Sequence, residues 1–186
     1  MNKAEVRKQA LLQRKGLSPE EASVFNSKLL AQFKNLDFDA IKTLHIFLPI
    51  AEKKEPDTFL LIDWLSLAHP EIKIIVPRAD FDTFLMSNYV YEGKKRLEKN
   101  SYNILEPQKT NLHEGAVDMV IIPLLGFDLK GYRVGYGKGF YDRFLNGIFT
   151  VKVGLNFFAP VDVINDVHEN DIALDLCITP DKIYFF

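Results

Sequence analysis

The stretch VDMVIIPLLGFDLKGYRVGYGKGFYDR, residues 117–143, sets the reading of the whole chain. Its first eight residues are almost all apolar, the pattern of a strand buried on both faces in a parallel sheet. A glycine-rich segment follows at once, and Tyr141 to Leu145 predicts a short helix after it. In α/β sheets ligands bind where loops leave the carboxyl ends of the strands. Gly135, Gly137 and Gly139 alternate, so the backbone can take dihedrals closed to other residues and bring its N–H groups against a ligand. Lys138 in the loop, Arg133 before it and the amino end of the following helix add positive charge, which makes phosphate the natural guest. Two common phosphate motifs are excluded. Lys138 is followed by Gly139 where a Walker A loop has Ser or Thr, and Phe140 stands where a dinucleotide fingerprint has glycine. A turn that only permits close packing explains three glycines equally well, but Arg133, Lys138, Asp142 and Arg143 around them tip the reading toward a binding site.

Outward from this segment the chain alternates strands and helices. Lys3 to Lys15 predicts a helix stopped by Gly16. Ser18-Pro19-Glu20-Glu21 reads as a capping box opening a second helix to about Phe33, with Phe25, Leu29 and Phe33 as its buried stripe. Thr43 to Leu48 is a strand closed by Pro49, Ile50 to Pro56 a loop, Asp57 to Ala68 a helix and Ile72 to Val76 a strand closed by Pro77. Phe84 to Tyr91 reads as a further strand and Gly93 to Gly115, polar with a basic run at Lys94, Lys95, Arg96 and Lys99, as a surface loop. Thr150 to Leu155 and Leu174 to Thr179 are the last strands. This order predicts an α/β fold, a three-layer α/β/α sandwich around a mostly parallel central sheet, as a single domain over 1–186.

The bulk properties narrow the function classes. An apolar fraction of 47% and a charged fraction of 26% are ordinary globular values. A net charge of −2, from 23 basic and 25 acidic residues, provides no global field to draw the molecule onto nucleic acid or an anionic membrane, so any positive site is local. One cysteine, Cys177, and an amino-terminal segment without the apolar core of a signal peptide predict a cytoplasmic location.

The string GYRVGYGKGFYDR, residues 131–143, resembles the hallmark of the 5-formyltetrahydrofolate cyclo-ligases, also called methenyltetrahydrofolate synthetases. The resemblance extends along the chain through Lys3-x-x-x-Arg7, Glu55-x-Asp57-Thr58 and His168-x-x-Asp171-x-x-x-Asp175 followed by Ile178-Thr179-Pro180. It implies a fold like that of sugar-phosphate isomerases and CoA transferases. It also implies ATP- and Mg²⁺-dependent cyclisation of 5-formyltetrahydrofolate, in whatever polyglutamylated form, to 5,10-methenyltetrahydrofolate. ATP would phosphorylate the formyl oxygen, N10 would attack the resulting iminophosphate, and ADP and phosphate would be released, in a monomeric enzyme acting on a small molecule with no nucleic-acid or membrane partner.

The same resemblance assigns roles residue by residue. Lys3 and Arg7 would hold ATP phosphates, although three charges within roughly 40° on one helix face (Lys3, Arg7 and Arg14) ordinarily form a solvated surface. Arg14 is less supported. Arg133, Gly135, Tyr136, Gly137, Lys138, Gly139, Phe140 and Tyr141 would form the nucleotide loop, with Lys138 and Arg133 acting in the chemical step. Glu55, on its own a capping or exposed loop acid, would bind the folate, because a carboxylate suits the adjacent N–H donors of a pterin. Ile50, Tyr136, Lys138 and Phe140 would complete the substrate contacts. Asp142 and Asp175 would hold Mg²⁺, which needs only one or two carboxylates beside phosphate oxygens and water. His168 and Asp171 read as structural, and His45, His69 and His113 lack metal-ligand spacing. Two other readings stay open. One is a phosphosugar isomerase or acyl-carrier transferase, distinguished by a catalytic carboxylate base or nucleophile near the loop. The other is a single-stranded nucleic-acid module using Lys94 to Lys99 with Tyr89, Tyr91 and Tyr102.

Overall fold

Eight strands form one mixed sheet in the computed structural model, which describes residues 1–186. In chain order the elements are α1 (Lys3–Gly16), α2 (Pro19–Phe33), β1 (Thr43–Ile46), α3 (Phe59–Ala68), β2 (Lys73–Ala79), β3 (Met86–Val90), β4 (Leu97–Lys99), β5 (Leu105–Pro107) and β6 (Leu112–His113). They continue with β7 (Met119–Pro123), β8 (Gly126–Phe127), β9 (Arg133–Val134), α4 (Phe140–Leu145), β10 (Val151–Leu155), β11 (Leu176–Ile178) and β12 (Ile183–Phe185). The sheet order is β12-β11-β10-β7-β1-β2-β3-β6. The five central strands are parallel, and β3, β6 and β12 run antiparallel to their neighbours.

Side-chain alternation divides the core between the two sheet faces. Leu44, Ile46, Ile74, Val76, Met119, Ile121, Val153, Leu155, Leu176 and Ile178 point to one face, where Leu29 and Phe33 of α2 and Leu61, Ile62 and Leu65 of α3 cover them. Ile75, Val120, Ile122 and Cys177 point to the other, beneath Leu145 of α4, Leu124, Phe127 and Leu174. The second helical layer is therefore thin, with α4 and adjoining loops in place of a long helix. Two capping boxes start the amino-terminal helices: the expected Ser18–Glu21 pair of α2, and Asn2 with Glu5 ahead of α1. No helix is long and apolar enough to cross a membrane.

Three features depart from the sequence expectation. The Gly93–Gly115 segment is not a plain surface loop. It contains the β4–β5 hairpin and β6, and Arg78 of β2 ties the hairpin down through Glu98, through the Pro107 carbonyl and through the buried Glu106 at 2.8 Å. β2 runs through Pro77 to Ala79, paired with β3. A further strand, β12, closes the sheet edge beside β11.

Candidate active site

The polypeptide reverses direction across the sheet between β1 and β7. The crossover from β1 through α3 leads to β2 on one side, and that from β7 through α4 leads to β10 on the other. At such a switch point the loops leaving two adjacent strands part and open a crevice. A cavity of about 430 Å³ lies there, bounded by Phe47, Leu48 and Ile50 after β1, Pro77 and Ala79 at the end of β2, and Pro123 at the end of β7. That volume is within the usual range for a small-molecule site.

One end of the cavity is cationic. The glycine-rich segment folds as the β8–β9 hairpin followed by a turn, in which Gly137 (φ +89°) and Gly139 (φ +70°) adopt left-handed backbone and Gly135 does not. A side chain at position 137 would also meet the Arg7 guanidinium, 3.4 Å from where its Cβ would lie, and Arg7 Nε donates to the Gly135 carbonyl at 2.9 Å. Lys3, Arg7, Arg133 and Lys138 line this end against the carboxylates of Asp142 and Asp171, so an anionic ligand would complete the charge balance. Arg133 is almost fully buried, donating to the Ile172 carbonyl and, at 2.8 Å, to Asp142 Oδ1. Burial pulls its pKa down and Asp142 opposes the shift. Lys3 Nζ donates to Asp171 Oδ2 at 2.5 Å. Against the upward pull of partial burial, the His168 N–H and Lys3 hold the Asp171 carboxyl below its ordinary value.

Asp175 does not join Asp142. Its carboxylate accepts from the Lys152 backbone N–H at 2.7 Å and lies 2.9 Å from Lys152 Nζ. This places it near the start of β10, whereas the cavity opens where Leu155 of β10 pairs with Pro123 of β7. The second carboxylate in the cavity lining with Asp142 is Asp171, where the sequence predicts a structural role. Each has an oxygen outside its protein hydrogen bonds: Asp142 uses Oδ1, and Asp171 uses Oδ2. Two carboxylates with free oxygens beside an anion-binding loop fit the donor set of Mg²⁺.

Apart from this cluster the lining is mostly apolar, with Glu55 and Glu106 as its acids. Glu55 is 7% exposed, with Oε2 accepting from the Ile50 N–H at 2.8 Å and Oε1 from the Tyr136 hydroxyl at 2.7 Å. Burial pushes its carboxyl up, while the Ile50 N–H, Tyr136, Arg14 and Lys53 oppose the shift. Lys53 stands 4.1 Å from the centre of the Tyr136 ring, and burial followed by the Glu55 charge drives the Tyr136 phenol well above its ordinary value. Phe140 packs on Phe81 and Phe84, and the exposed Tyr102 stacks on Phe81 with ring centres 4.3 Å apart. Tyr89, the second aromatic of the nucleic-acid reading, is buried. Tyr141 faces the cavity and contacts His45 Nε2 at 3.1 Å, while His45 Nδ1 lies 2.9 Å from Asn88 Oδ1. Of the residues to which the resemblance assigns nucleotide, folate or metal binding, all but Asp175 line this one cavity; Arg14 and Arg143 do not. Sequence reasoning missed Phe81, Ile104, Leu105 and Lys53, whose placement depends on long-range pairing.

The family model of the 5-formyltetrahydrofolate cyclo-ligases matches residues 1–180. A 5-formyltetrahydrofolate cyclo-ligase of Mycoplasma pneumoniae is 32% identical, over 96% of this chain and 98% of its own. The solved 5,10-methenyltetrahydrofolate synthetase of Aquifex aeolicus superposes with a TM-score of 0.78 at 30% identity, covering 100% of this chain and 93% of that one. That of M. pneumoniae superposes at 0.74 and 29% identity, covering 96% and 98%. With a family match over nearly its whole length and relatives alike in both sequence and fold, the chain belongs to the 5-formyltetrahydrofolate cyclo-ligase family.

Proposed function

We propose that the protein converts 5-formyltetrahydrofolate to 5,10-methenyltetrahydrofolate with consumption of MgATP. The observation that carries this reading is a single cavity lined both by the cationic glycine-rich segment and by the buried Glu55, which suits a phosphate donor and a pterin held side by side. ATP supplies the phosphoryl group that turns the formyl oxygen of the substrate into a leaving group, so that N10 closes the ring onto the formyl carbon as phosphate departs.

The side chains have separable tasks. Glu55 keeps lone pairs for paired N–H donors of the pterin, and Ile50, Tyr136 and Phe140 flank the ring. Lys3, Arg7, Arg133 and the N–H groups around Gly137 and Gly139 hold the phosphates. Lys138 faces the transferring group, where neutralising the growing charge contributes most. Asp142 and Asp171 would hold Mg²⁺. No covalent nucleophile is required, since in-line positioning and charge neutralisation are what this transfer demands. The test is phosphate release by the purified protein. Release is expected only with both MgATP and 5-formyltetrahydrofolate, at one phosphate per methenyl product; release from ATP alone at the same rate would overturn the proposal.

A further inference from the structure

Arg14 lies on the same face of α1 as Lys3 and Arg7 but does not reach the cavity. It is 2% exposed behind the glycine-rich segment. Its Nη1 donates to the Tyr136 hydroxyl at 3.1 Å and its Nη2 to the Leu124 carbonyl at 2.6 Å, and Nε has no partner. A buried guanidinium without a carboxylate of its own is costly, and an apolar side chain of similar volume would fill the space without that cost. The acid it reaches is Glu55, through Tyr136.

The chemistry of the three groups fixes the direction of the chain. A guanidinium can only donate, so the Tyr136 oxygen accepts from Arg14 and its single proton points to Glu55 Oε1. The Ile50 N–H holds Oε2. One donor on each oxygen sets the carboxylate plane and leaves a lone pair on each for a ligand. We propose that Arg14 is a positioning residue for substrate recognition, acting through Tyr136 to hold Glu55 as an oriented acceptor for the pterin. The inference rests on the folate reading of Glu55.

The charged and titratable groups facing Glu55 are Arg14 of α1, Lys53 of the turn after β1, Tyr136 of the glycine-rich segment and Tyr141 of α4. Burial pushes Glu55 up and Arg14 opposes it, so loss of Arg14 moves the Glu55 titration to higher pH.

The test is steady-state kinetics of the full chain with 5-formyltetrahydrofolate and MgATP, for wild type and for Glu55→Gln, Arg14→Met, Arg14→Lys, Tyr136→Phe and the double variant Arg14→Met/Tyr136→Phe. Arg14→Met is expected to raise KM for 5-formyltetrahydrofolate about ten-fold or more, leave KM for MgATP within about two-fold, and shift the acid limb of kcat/KM upward. Tyr136→Phe should do the same to the folate KM, the double variant should be no worse than either single one, and Arg14→Lys should recover part of the loss. A fall in kcat with both KM values unchanged, or additive effects in the double variant, would show a merely structural role and overturn the proposal. If Glu55→Gln raises the folate KM and Arg14→Met does not, this inference alone fails; if Glu55→Gln leaves it unchanged, the folate reading fails and takes the inference with it. Should Arg14→Met not fold, Arg14→Lys and Tyr136→Phe carry the same comparison.

Discussion

Lys138 is exposed, makes no ion pair and lies 5.8 Å from the centre of the Phe84 ring, so its charge is free to meet a ligand. Removing a single stabilising charge aimed at a transferring group typically costs about 3 kcal/mol of transition-state stabilisation. Lys138→Ala is therefore expected to lower kcat/KM about 100-fold with an unchanged melting temperature, and near-wild-type kinetics would contradict its role. His45 behaves oppositely: it is fully buried in β1, and burial, against its hydrogen bond to Asn88, lowers its pKa to about 4. A neutral His45 accepts the Tyr141 proton at Nε2 and donates from Nδ1 to Asn88, a tautomer inferred from the hydrogen-bond network. In the unfolded chain histidine takes up its proton near pH 6.5. The unfolded state thus binds more protons between pH 6.5 and about 4, and the stability this group contributes is present above pH 6.5 and lost as pH falls to about 4. At full size this is about 3 kcal/mol. Urea unfolding across that window should show the loss, and His45→Leu, though less stable at pH 7, should show a flatter slope.

Strands and helices bounded by local signals were legible in the sequence. Prolines, the Ser18–Glu21 box and continuous apolar runs delimit α2, β1 and β7 within a few residues. The β4–β5 hairpin was not legible, because its three-residue strands carry little pattern and its buried Glu106 depends on Arg78 from β2. Glu55 read as an exposed or capping acid for the same reason: its partner Tyr136 is 81 residues away. Thr58, just before α3, donates from its buried hydroxyl to the Phe47 carbonyl at 2.6 Å, and Asp57 accepts the Phe59 N–H. The carboxylates near the carboxyl terminus illustrate the same limit. Asp171 and Asp175 are one helical turn apart in sequence but lie outside any helix, and only Asp171 reaches the cavity. Asp171→Asn is expected to raise the Mg²⁺ concentration giving half-maximal activity about ten-fold, and Asp175→Asn to leave it within about two-fold. A metal titration with the reverse order would restore Asp175 to the site.

The arrangement of the whole molecule joins these parts. α1 brings Lys3 and Arg7, the loop after β1 brings Glu55, the segment after β7 brings Lys138, and the loop before β11 brings Asp171. Their convergence follows from the strand order, because β1 and β7 are neighbours whose crossovers leave to opposite sides. The α/β class and the parallel sheet could be read from the alternation of elements, but the strand order that creates the crevice is a property of long-range pairing. Phosphosugar and acyl-transfer chemistry would need a carboxylate base beside the loop; here Asp142 and Asp171 are paired with Arg133 and Lys3, and both oxygens of Glu55 accept hydrogen bonds, from Ile50 and Tyr136. The most direct measurement is the near-ultraviolet absorbance of purified, folded protein mixed with 5-formyltetrahydrofolate and Mg²⁺, before and after ATP is added. The band of the methenyl product should appear only after ATP; no band in folded protein, or a band that grows equally without ATP, would contradict ATP-driven ring closure.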